Sequence, residues 1–232
     1  MSEAAARPDD YRIEVRSYEL QGATLLTKPA VHNELVFIHN GKVVAAFNGD
    51  PYHRDSGENA YPSMSNKDTL RVSAYLDGTT RADDPRNPFK VTATGVVFSG
   101  SREEFAEKLG QATDAAHSIN NSNIDYIMLS IGFTPQNSNS TIGSLLQAMN
   151  LQPPASQQDV WAPGASRPLL SHDFRSDFTG ITASNPGWLD TDTPQRQGLL
   201  SRLEQLKEDA VKDRVRQDPD PYAGTCTPDM GI

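Results

Sequence analysis

Cysteine is almost missing from this sequence. The single one, Cys226, stands in the polar stretch Ala-Gly-Thr-Cys-Thr-Pro-Asp and has no second thiol with which to close an intramolecular disulfide. Long apolar runs are missing as well. The longest, such as Leu35 to Ile38 and Val43 to Phe47, are a few residues, whereas a membrane-spanning helix needs about 20. The N-terminus, Met-Ser-Glu-Ala-Ala-Ala-Arg-Pro-Asp-Asp, has neither a basic n-region nor an apolar h-region, so no Sec signal peptide is expected. The expected location is the cytoplasm of the producing cell, with any export by a signal-peptide-independent system. Positive charge is scarce: 21 Lys and Arg face 30 Asp and Glu, for a net charge of −9. That balance disfavours nucleic acid and anionic lipid as partners. The five histidines are scattered and lack any His-x-x-x-His or Cys-x-x-Cys spacing, so neither a metal nor another cofactor is expected.

What is present reads as an α+β protein with an antiparallel sheet. Residues 11 to 16, Tyr-Arg-Ile-Glu-Val-Arg, alternate apolar and polar side chains and predict a first strand. Asn33 to Asn48 predicts a hairpin turning at Asn40-Gly41, a pair that tolerates the positive φ angles of a two-residue turn. A long surface loop is expected over 49 to 69, then strands over Thr69 to Leu76 and Phe89 to Phe98. Ser101-Arg-Glu-Glu104 is a capping box that opens a helix with Phe105, Leu109, Ala112 and Ala116 on its apolar stripe. A second helix is expected from Asn137–Ser140 to Met149, with Ile142, Leu145, Leu146 and Met149 on one face. Residues 1 to 150 form the expected core. Residues 151 to 217 are assigned to the same domain, as an irregular wrap pinned by Trp161, Phe174, Phe178 and Trp188, then an amphipathic C-terminal helix over Pro194 to Val215. The last stretch, 218 to 232, is patternless and is expected to be a flexible tail.

Chemistry is sought first among the histidines. His39 belongs to the hairpin turn and His117 to a helix end, His53 to the long loop, and His172 to the irregular region. His32 stands at the mouth of a strand, directly before Asn33 and Glu34. Its candidate partner is the run Asn137-Ser138-Asn139-Ser140, small polar residues opening an amphipathic helix. Helix capping explains most such strings. The same placement also puts a hydroxyl at the positive helix end, where a developing oxyanion is stabilised.

Tyr126-Ile-Met-Leu129 followed by Asn137-Ser138-Asn139, with His32-Asn-Glu-Leu-Val-Phe earlier in the chain, resembles the circularly permuted papain-like, NlpC-related hydrolases. The resemblance covers residues 30 to 150, and it carries one departure: Ser138 stands where that family has its nucleophilic cysteine. The Ser-rich helix start and Ala162-Pro163-Gly164 also resemble modules of bacterial polymorphic toxins. The resemblance implies a permuted papain-like fold and an amidase, peptidase or acyl-ester hydrolase without cofactor. Ser138 is then the nucleophile with Ser140 as the alternative, His32 is the base, and Asn48 or Asp50, with Glu34 next, orients the imidazole. It further implies a peptide, peptidoglycan or acyl substrate and an antagonistic effector with an immunity or secretion-machine protein as partner. The alternative is a non-catalytic binding module with a degenerate site.

Overall fold

The computed structural model describes residues 10–25, 28–57, 60, 68–76, 78–83, 90–127, 135–155, 162, 164–166, 168–171 and 174, without the side chains of 20–30. The second tryptophan, Phe178, the expected C-terminal helix and the expected tail lie outside these residues, as do Trp161, His172 and Cys226.

Five strands form one antiparallel sheet, and two helices pack on it. Strand β1 spans Tyr11–Leu25, β2 Lys28–His39, β3 Lys42–Tyr52, β4 Thr69–Tyr75 and β5 Val91–Gly100; helix α1 spans Arg102–Asn121 and α2 Ser138–Ala148. The order across the sheet is β4-β3-β2-β1-β5. An α+β arrangement was the expectation, and its central hairpin is where the sequence placed it. Asn40 and Gly41 have φ of 49° and 76°, the left-handed conformation that a two-residue turn between twisted strands requires. Two boundaries need correction. Strand β1 runs on well past residue 16, and β3 does not give way to a loop at 49: Gly49 to Tyr52 pair with Val72 to Thr69 of β4. Gly and Pro near 50 read as loop signals, but cross-strand pairing with β4 overrides local preference here.

The capping box at the start of α1 is formed, with the Ser101 hydroxyl accepting from the Glu104 amide and the Glu104 carboxylate accepting from the Ser101 amide. Phe105 from this helix meets Phe37 of β2 edge to face, with ring centres 5.4 Å apart, and Phe37 meets Phe47 of β3 at 5.7 Å. Leu35, Phe37, Ala45 and Phe47 thus face the helices, along with Ile142 and Leu145 of α2. Strand side chains alternate between faces. Val36, Ile38 and Ala46 accordingly form a separate small cluster on the far side of the sheet. By the same alternation His32 and Glu34 share the far face with Val36.

The feature that positions the site is a parting of β2 from β3. Their ladder ends at Leu35↔Phe47, although both strands continue. The first turn of α2 takes β3's place along the vacated edge. Asn139 Oδ1 accepts from the Asn33 amide at 3.0 Å, and Asn139 Nδ2 donates to the Val31 carbonyl at 2.9 Å, so one side chain supplies the donor and acceptor that a strand would have offered. On the β3 side, Gly49 lets the helix come against the strand backbone. A Cβ there would lie 2.8 Å from Ser138 Cα and closer still to Thr141 Oγ1.

Candidate functional site

Asn137 caps α2: its side-chain oxygen accepts from the amides of Asn139 at 3.0 Å and Ser140 at 3.3 Å, and the Thr141 amide reaches the Asn137 carbonyl. The capping function expected of this run is real, and it leaves Ser138 as the first helical residue. Ser138 is buried, and among the described residues its hydroxyl makes no hydrogen bond. Ser140 has a different surrounding. Its hydroxyl donates to the Pro135 carbonyl at 2.8 Å, and the residue is fully buried.

His32 is held on the opposite side of the wedge. Asn139 clamps the backbone on either side of it, at Val31 and Asn33. Asn48 Oδ1 lies 3.0 Å from His32 Nε2. An amide oxygen only accepts, so Nε2 carries the proton and Nδ1 carries the lone pair. Asn48 in turn precedes Gly49, the residue packed against Ser138. The helix start and the histidine are therefore tied together twice, through Asn139 to the flanks of His32 and through Gly49 to the neighbour of Asn48.

Behind the imidazole lies a buried polar network. Asn48 Nδ2 donates to Glu34 Oε1 at 2.8 Å, the Arg81 amide donates to the same oxygen at 2.8 Å, and the Tyr18 hydroxyl donates to Glu34 Oε2. Asp50 does not reach toward the imidazole as its orienter; it forms an ion pair with the Arg81 guanidinium, both side chains being buried. Arg81 sits on a short 3-10 turn, Arg81–Asp83, which is fixed by Asp83 Oδ2 accepting from the Thr80 amide at 2.7 Å and hydroxyl at 2.9 Å. Of the residues the sequence nominated, His32 and Asn48 are hydrogen-bonded, Glu34 stands directly behind Asn48, and Asp50 is the counter-ion of Arg81. Ser138 is linked to them only through its neighbour Asn139 and through Gly49, making no hydrogen bond with His32 among the described residues. Sequence reasoning missed Asn139 and Arg81. The first is in sequence only one member of a capping string, and the second lies in a polar segment between strands that carries no periodicity.

The other described histidines lie elsewhere. His39 stacks on Tyr11 with ring centres 4.2 Å apart. His53 pairs with Asp68 at 2.9 Å, and His117 meets Asn121 at 2.7 Å on its own helix.

Electrostatics set the protonation of the site. Burial pushes the His32 imidazole down to about 4, aided by the positive Arg81, while Asp50 and the Asn48 hydrogen bond act the other way. Burial also raises the Glu34 carboxyl, opposed by its three donors, and raises the Tyr126 hydroxyl, which the Asp50 charge pushes further up. A stability consequence follows for His32. Its folded value lies below the ordinary value of 6.5, so between pH 6.5 and about 4 the unfolded chain binds more protons than the folded one. The His32 contribution is fully present above pH 6.5 and is lost as the pH falls toward about 4. Glu34, raised, has the opposite sign. Denaturant midpoints of the unaltered chain and His32→Gln, compared at pH 7.5 and at pH 4.5, check this: the difference between the two proteins is expected to shift in favour of His32→Gln at the acid end.

Neither a family model, nor a curated protein, nor a solved structure matches this chain. The helices among the described residues include none long and apolar enough to cross a membrane.

Proposed function

We propose that the protein is a hydrolase of amide or ester bonds that works through a Ser138–His32–Asn48 triad. The observation that carries this reading is the wedge itself. It ties the helix start that carries Ser138 to the strand that carries the buried, asparagine-bound His32, elements more than 100 residues apart, through the Asn139–Asn33 hydrogen bond. A Cys-His-Asn constellation serves papain-like enzymes, and the pattern here has serine in the first position. Serine needs a base to remove its proton, and Nδ1 of His32 is the free lone pair.

The chemistry is that of acyl transfer. Ser138 Oγ attacks the acyl carbon as its proton passes to His32 Nδ1, and the carbonyl oxygen becomes an oxyanion. The Ser138 amide at the N-terminus of α2 has no helical partner and is placed to donate to that oxygen. Collapse expels the leaving group, which takes the proton from His32. Water then attacks the acyl-serine with His32 again as base, restoring the free hydroxyl. The described residues show no Ser138–His32 hydrogen bond, and this reading requires it to form in the Michaelis complex.

This reading includes a permuted papain-like fold and a role as an antagonistic bacterial effector on peptidoglycan peptides or another acyl substrate, produced in the cytoplasm. An immunity or secretion-machine protein is its partner. Expression in bacterial cytoplasm and periplasm tests it, comparing the unaltered chain with Ser138→Ala, Ser138→Cys and His32→Ala. Toxicity in one compartment, lost in both alanine variants, supports the hydrolase and its compartment points to the substrate. The unformed Ser138–His32 bond favours a second reading, a binding module with the same cleft; toxicity equal in all variants supports that instead.

A further inference from the structure

We infer that Glu34 is a positioning residue: by fixing the orientation of the Asn48 amide, it decides which nitrogen of His32 carries the proton. The inference rests on the reading of His32 as base, but the geometry it uses is separate. Glu34 Oε1 accepts from two donors at once, the Arg81 peptide N–H and Asn48 Nδ2, each at 2.8 Å. A peptide N–H cannot accept, so Oε1 carries no proton and is an acceptor whatever the state of Oε2. The group that Asn48 turns toward it must therefore be its NH2, which leaves Oδ1 for His32 Nε2 at 3.0 Å. Tyr18, donating to Oε2, holds the second oxygen.

Burial makes the chain of constraints binding. Tyr18, Glu34 and Asn48 are each 0% exposed and His32 is 6% exposed, so solvent is not at hand to replace a missing partner. The fixed point of the chain is the backbone: the Arg81 amide belongs to a turn tied down by Asp83 and Thr80. Remove the Glu34 carboxyl and nothing in this network distinguishes one Asn48 orientation from the other. The flipped amide would present NH2 to Nε2, move the imidazole proton to Nδ1 and remove the lone pair that faces away from Asn48.

The test is the imidazole tautomer, read by long-range proton–nitrogen correlation on the 15N-labelled full chain near pH 7, with no substrate present. The unaltered protein is expected to show the Nε2–H form. Glu34→Leu is expected to give a mixture with a substantial Nδ1–H fraction, and Glu34→Asp, one methylene shorter, the same trend. Glu34→Gln is expected to keep the Nε2–H form, because its amide oxygen accepts from both N–H groups while its NH2 donates to Tyr18. In turnover, Leu and Asp are expected to lose about tenfold or more in kcat with KM little changed, and Gln to retain most of it. An Nδ1–H form in the unaltered protein overturns the inference even if no variant folds, as does an unchanged Nε2–H form in folded Glu34→Leu and Glu34→Asp. The two ideas also separate. A Glu34-dependent tautomer without any hydrolysis contradicts the hydrolase and supports the inference; hydrolysis that depends on Ser138 with a tautomer indifferent to Glu34 does the reverse.

Discussion

Replacing Ser138 with alanine is expected to lower turnover by at least about 10³-fold while leaving the fold almost as stable as before. The two halves of that statement come from one observation. The hydroxyl makes no hydrogen bond among the described residues, so its removal breaks none of the contacts that seat the helix. Alanine is also well suited to a first-turn helical position. A residue whose side chain does little for stability and everything for activity is what a nucleophile looks like. His32→Ala is expected to lose as much, and the double variant no more than either alone, because the two groups act as one unit. Ser138→Cys is expected to retain acyl transfer, since a thiol is readily activated by a neighbouring imidazole. Steady-state rates on an activated ester, with thermal midpoints of each variant measured alongside, check the set. A Ser138→Ala protein as active as the parent would remove the nucleophile from the account.

The second large effect is expected at a residue with no side chain. Gly49→Ala places a methyl group 2.8 Å from Ser138 Cα and into Thr141, distances that neighbouring backbone cannot tolerate. Overpacking of this kind costs about 1–3 kcal/mol. The relief available is for α2 to back away from β3, which draws Asn139 off the Val31 carbonyl and the Asn33 amide and leaves buried polar backbone unpaired. Activity is expected to fall by about 10²-fold, because an error near 1 Å in placing a reacting group is enough for that. The pairing of Gly49 with Thr141 can be shown by combining Gly49→Ala with Thr141→Ala: the second change removes one source of the clash and is expected to restore part of the stability, measured as a coupling energy in denaturant unfolding. Strict additivity of the two changes would mean that the close approach is not what α2 depends on.

How much of this was legible beforehand differs from residue to residue. The Asn40-Gly41 turn and the Ser101–Glu104 capping box are local devices, in which the residues that determine the structure are neighbours in the chain, and both stand where the sequence puts them. The far end of β3 is not local. Gly49 and Pro51 argue for a loop, and only the pairing with β4 makes them strand. The site has the same division. His32, Ser138 and Asn48 stand out in the sequence as candidates by type and position, but Asn48 and Asp50 share one face of β3, and that Asn48 rather than Asp50 holds the imidazole depends on the ion pair that engages Asp50. Arg81 comes from a segment with no period, and its role arises only from where the turn is packed. Asn139 was visible only as one polar residue among four. Its action across the parted strands depends on a gap between β2 and β3 that no stretch of sequence describes.

The most direct measurement is covalent labelling. The unaltered chain is treated with a fluorophosphonate, which phosphonylates a serine only where a neighbouring base and an oxyanion site activate it, and the modified residue is mapped by peptide mass spectrometry. The account predicts one stoichiometric adduct, on Ser138, absent from folded Ser138→Ala and from folded His32→Ala. No adduct on the folded protein, or an adduct on Ser140 that persists without His32, would contradict it.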